Sequence, residues 1–183
     1  MFRVPLLGGW LKSVDSILLG YAHGSFVSGR YEECLDFCLR GLVKKRKKND
    51  SHTRWLLMEY IKHSVNSALK LNREVDYIKL RDLILDFPRE KLLVGRELSE
   101  LILKLSMWGY NFNDRDGILK LAKLAGGFDA TWGEPDFLIG WFSLPDAESV
   151  CFFRKAIEKD ASYKSRILND GDCRKYPELL SEL

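Results

Sequence analysis

Two cysteines one helical turn apart, Cys34 and Cys38, are the first residues here whose types and spacing could do chemistry. On one helix face they could begin a metal site or close a disulfide. A tetrahedral metal needs two further ligands, and a disulfide across a single turn is geometrically awkward. The spacing therefore predicts small buried thiols packing as hydrophobes, with Cys151 and Cys173 free as well. Reduced thiols suit a cytoplasmic location. His23, His52 and His63 are too few and too scattered for a metal cluster or a catalytic triad, and His63 is expected on a helix surface.

Residues 113–117, Asn-Asp-Arg-Asp-Gly, have the look of a calcium loop. With Gly117 at that loop's invariant glycine, however, Phe112 falls on the first ligand position and Lys123 on the bidentate Glu position, which disqualifies it. The carboxylate pairs Asp114 with Asp116 and Glu134 with Asp136 could be imagined as acid and base, but loop and capping roles account for them. No Gly-x-Gly-x-x-Gly, phosphate-binding loop or Gly-x-Ser-x-Gly occurs. No catalytic residue, metal ligand or cofactor is expected, and the chain does not read as an enzyme.

What remains is binding. Lys44, Lys45, Arg46, Lys47 and Lys48 form one concentrated basic run; removing these five leaves 24 basic residues against 26 acidic, −2, where the intact chain is +3. Cations at a helix C-terminus face the negative pole of the helix dipole, but only the first one or two can benefit. The run could instead meet nucleic acid, an acidic partner or a membrane surface. A second candidate lies in residues 128–145, where Trp132, Phe137 and Trp141 stand among glycines and prolines. These aromatics either fill a core between short helices or anchor a partner.

Helical periodicity supplies the elements that must position these groups. A first helix up to about Val27 turns Ile17, Leu18, Tyr21, Ala22 and Phe26 inward. A turn at Ser28-Gly29 leads to a second helix from Tyr31, with Cys34, Leu35, Cys38 and Leu42 on its apolar face. Small residues, among them Gly20, Gly24 and Gly41, recur where backbones would approach closely. Further helices are expected over residues 53–70, 74–87 and 90–108, the second of them with Val75, Ile78, Leu83, Ile84 and Phe87 inward. A sixth starts from a capping box of Asn113 and Asp116 and stops at Gly126-Gly127. Shorter helices follow over 134–142, 147–159, 163–168 and 177–182.

The stretch Gly29-Arg30-Tyr31-Glu32-Glu33-Cys34, with Cys38 and Gly41 following, resembles the turn and second helix of a tetratricopeptide repeat (TPR). Cys34 stands where that family usually has Ala. Leu18 and Ser25 replace its frequent Trp and Tyr, and Arg46 stands in place of its closing Pro. A partial echo spans residues 147–163, where Ser149, Phe153 and Ala156 match the small, aromatic and small positions. The two matches lie over about residues 15–43 and 147–163. The resemblance implies a protein-binding scaffold whose first helices line the recognition surface, with no catalytic residues to carry over.

With 183 residues, 46% hydrophobic and 30% charged, the chain can bury one substantial core without disulfide or metal staples. It is expected to be a single all-α domain of antiparallel hairpins stacked as a short TPR-like solenoid. Nowhere do 18 consecutive apolar residues occur, so no membrane span is expected. The N-terminal MFRVPLLGGWLK lacks a long hydrophobic region and does not read as a signal peptide. The expected function is recognition of another protein, as an adaptor or immunity-type module; nucleic-acid binding through the basic run is the alternative.

Overall fold

The computed structural model describes residues 14–45 and 51–183; Arg46, Lys47 and Lys48 and the N-terminal segment lie outside them. Among the described residues there are ten α-helices and no strand: α1 (Val14–Val27), α2 (Tyr31–Lys45), α3 (Ser51–Leu71), α4 (Glu74–Leu85), α5 (Arg96–Trp108), α6 (Arg115–Phe128), α7 (Glu134–Phe142), α8 (Glu148–Lys159), α9 (Ser162–Asn169) and α10 (Pro177–Leu180). The all-α class and the packing of successive helices in pairs are as the periodicity predicts. No described helix is long and apolar enough to cross a membrane. Packing divides the chain into two compact units, one ending at Asp76 but taking in Phe87–Leu92, the other made of Tyr77–Asp86 and Leu93–Leu183.

In the first unit α1, α2 and α3 pack on one another. Gly29 sits at φ +73°, as the turn requires. Its N–H donates to the Phe26 carbonyl at 3.0 Å and that of Arg30 to the Ser25 carbonyl at 2.8 Å, the two bonds of a Schellman motif. Cys34, Leu35, Cys38 and Leu42 are buried on the inner face of α2. Across from them the Tyr60 ring of α3 lies against Gly41, where a β-carbon would stand 2.5 Å from Tyr60 Cζ. At the end of α3, Arg73 bonds both Asp76, at 2.6 Å, and Glu32 at the start of α2, at 2.8 Å.

The second unit is built around α5 through α8, each packed on the next. Buried Ser99 and Ser106 of α5 donate to the Ala125 and Ile118 carbonyls of α6 at 2.8 and 2.9 Å, so the hydroxyls enter the core satisfied. The start of α6 is where the structure departs from the expected capping box. Asn113 takes a left-handed conformation, φ 55°, and Asp114 is the cap, its carboxylate accepting from the Gly117 N–H at 3.0 Å. The same carboxylate accepts from Tyr77 Oη at 2.8 Å and Arg81 Nη1 at 2.5 Å, both on α4. Burial opposes its charge, yet the donors Arg81, Tyr77 and Gly117 together hold it below the ordinary 3.8.

Other departures share a theme. Ile17 and Tyr21 of α1, and Val75 and Ile78 of α4, were expected inward and face solvent; Tyr77, Leu80 and Ile84 are the buried apolar residues of α4. The fifth helix starts at Arg96, not residue 90, because Leu92 is extended and Gly95 sits at φ 150°, leaving Leu93 and Val94 exposed. Helix α6 runs through Gly126 and Gly127 to Phe128, whose side chain is buried. The fourth helix ends at Leu85, two residues before the expected stop.

Gly29→Val should lower stability by more than about 1 kcal/mol, since valine at positive φ is strained. Asp114→Ala should cost about 1–3 kcal/mol by uncapping α6 and stranding Tyr77 and Arg81. Asp116→Ala, which loses only a surface pair with Lys120, should stay within about 0.5 kcal/mol. Urea denaturation of the three variants checks the set. Because the Asp114 carboxyl is held low, its contribution is complete above pH 3.8 and is lost as pH falls through its lower folded value.

Candidate interaction surfaces

Of the basic run, Lys44 is exposed on α2, whose described residues reach Lys45. Arg46, Lys47 and Lys48 lie outside the described residues.

The three aromatics proposed as partner anchors do not converge. Phe137 is buried, 4% exposed, with ring centroids 6.1 Å from Phe153 and 5.8 Å from Tyr163. The Arg166 guanidinium lies 3.9 Å from its centroid and is held there by Glu134, which also accepts from Tyr163 Oη at 2.9 Å. Phe137 is therefore core. Trp132, just before α7, is half-buried beneath the Arg96 guanidinium at 4.6 Å, and Arg96 is fixed by Asp129 at 2.5 Å. Trp141, at the far end of α7, donates its indole N–H to Asp170 at 3.2 Å and packs edge-on against Phe142 at 4.7 Å. Tyr110, 59% exposed, completes a surface cluster with Trp141 and Phe142. It lies outside the aromatic-rich segment and so was missed.

Another surface that is exposed among the described residues is the outer face of α1. Ile17, Gly20, Tyr21, Gly24 and Val27 are all exposed, Tyr21 stacking on Phe37 of α2 at 5.6 Å. After Asp15 the helix holds no Lys, Arg, Asp or Glu. A β-carbon on Gly20 or Gly24 would meet nothing within 4 Å, so no close approach among the described residues requires either glycine. Gly41 does have a close neighbour, but it is the Tyr60 ring and not a backbone. The sequence carried a signal for this face: α1 is apolar or small on every side, a composition ordinarily found where a helix is covered all round.

The reactive side chains behave as structural ones. Cys34, Cys38 and Cys173 are buried and all four cysteines are free thiols. Contact with Cys34 and then burial push the Cys38 thiol up, and the same contact lowers Cys34 to about 7, although Cys34 is buried away from solvent. Burial, then Asp170, pushes Cys173 up to about 12. Among the described residues no group of three or more His, Cys, Asp or Glu converges as a metal site. His63, expected on the surface, is half-buried on α3, its ring 5.4 Å from that of His23 and 5.5 Å from Phe26, both on α1.

No family model matches this chain, and no curated protein matches its sequence.

Proposed function

We propose that the protein is a TPR-like protein-recognition module, of adaptor or immunity type and cytoplasmic, that engages its partner through the outer face of α1, first helix of the hairpin resembling a repeat. The observation that carries this reading is an exposed helix face of Ile17, Gly20, Tyr21, Gly24 and Val27 with no fixed charge among them. An apolar face of this kind leaves water when a partner helix covers it, and two glycines let that helix come close. Tyr21 supplies the aromatic anchor that interface centres favour. The glycines have a cost: each destabilises a helix interior by about 0.5–1 kcal/mol relative to Ala, and the fold gains no packing from them.

Two measurements test this. Gly20→Ala and Gly24→Ala should each raise stability by about 0.5–1 kcal/mol, and Gly24→Glu should abolish partner capture while leaving the helical circular dichroism spectrum unchanged. Capture is read with a photo-crosslinking residue at position 21. Protein adducts that survive nuclease and disappear in Gly24→Glu support the reading. Adducts that nuclease removes would favour the basic run and nucleic acid. In that case changing Lys45, Arg46 and Lys47 to Gln should weaken binding, with affinity in the parent falling steeply as salt rises. The expected outcome is a modest effect of that triple change on association rate and no measurable binding to duplex DNA at physiological salt.

A further inference from the structure

The two imidazoles that meet between α1 and α3 have no role in the recognition surface, and their placement is unusual for groups that titrate near neutrality. His23 projects from α1 and His63 from α3, with ring centroids 5.4 Å apart and planes at 68°. Phe26 lies 5.5 Å from the His63 ring on one side and 5.5 Å from Tyr31, at the start of α2, on the other. We propose that this imidazole pair is an acid-sensitive latch: neutral, the rings pack edge to face and help dock α1 on α3; charged, they repel and α1 loosens. The inference stands independently of what α1 recognises.

The surroundings decide the sign. Burial, then His23, holds the His63 imidazole below its ordinary 6.5, and Lys62 on α3 acts in the same direction. Glu59, one turn before His63 on α3, opposes them by favouring the charged ring. From α2, Glu33 accepts from Ser25 of α1 at 3.3 Å and is paired with Arg30 at 2.9 Å, so its charge is engaged at the turn. A base whose folded value is depressed binds fewer protons folded than released. Docking strength is then complete above pH 6.5 and is lost as pH falls through 6.5 toward the lower folded value. Helix α1 is poorly placed to resist, because between Ile17 and Val27 only Ala22 and Ser25 are fully buried.

Amide hydrogen exchange of the full chain at pH 7.5 and 5.5, expressed as protection factors, tests the latch. Protection of α1 should fall by roughly threefold or more, because the folded His63 binds protons less readily than the released one, while that of α6 stays unchanged. His63→Gln should remove the pH dependence of α1, and His23→Gln should reduce it, since burial of the His63 ring persists. His52→Gln should keep it, since His52 stacks on Trp55 near the start of α3 and not on α1. In the parent, the imidazole C–H resonances should place the His63 midpoint below 6.5. Undiminished loss of α1 protection in both Gln variants, no loss in the parent, or a His63 midpoint at or above 6.5 would overturn the proposal. If His63→Gln does not fold, His23→Gln, at an exposed position, and the midpoint decide.

Discussion

Aromatic rings seated on glycines set the spacing of the helices in both units. Tyr60 lies on Gly41, Tyr77 on Gly109, Tyr163 on Gly133 and Phe153 on Gly140, and in each case a β-carbon would stand less than 3 Å from a ring or hydroxyl atom of the facing residue. Close-packed interiors do not absorb such an intrusion by small adjustments. The ring therefore fixes how far apart its two elements sit, and the glycine fixes where the ring can go. Around these contacts the buried polar groups find partners: Ser99 and Ser106 on carbonyls of α6, Tyr77 on the Asp114 carboxylate, Tyr163 on Glu134.

Asp114 shows how one side chain can serve two levels of structure. It satisfies an N–H that the first turn of α6 would leave without a partner, and through Tyr77 and Arg81 it ties that turn to α4. Gly117 makes room for it, since a β-carbon there would stand 2.0 Å from Asp114 Oδ2. Glu134 plays a comparable part in the α7–α9 contact, holding Arg166 flat over Phe137. Of the carboxylates paired in the sequence, Asp114 and Glu134 thus link helices, whereas Asp116 pairs with Lys120 on the surface of α6.

Helix α2 was readable because its apolar residues keep one face and its outer face is charged, and α7 because Glu134 and Pro135 mark its start. Helix α1 was not, for a physical reason: with apolar and small residues on all sides, periodicity names a helix but no inward direction, and Ile17 and Tyr21 were assigned to the wrong side. In α4 the heavy aliphatics Val75 and Ile78 outweighed Tyr77, although the tyrosine is the buried one because Asp114, 37 residues away, receives its hydroxyl. The choice between Asn113 and Asp114 as cap depends on that same distant contact, which local spacing does not contain. The aromatic segment gave up Phe137 to the core for the partners it finds on α8 and α9. Tyr110 joined Trp141 and Phe142 from a turn the segment did not include.

The distribution of thiols has a practical consequence. Cys34, Cys38 and Cys173 are enclosed, whereas Cys151 stands on the solvent side of α8, whose opposite face buries Ser149, Phe153 and Ala156. The unaltered protein thus offers a single accessible thiol, on α8. A maleimide dye or spin label added to the native fold would report from one defined position, and reaction at the other three would mark the moment the core opens.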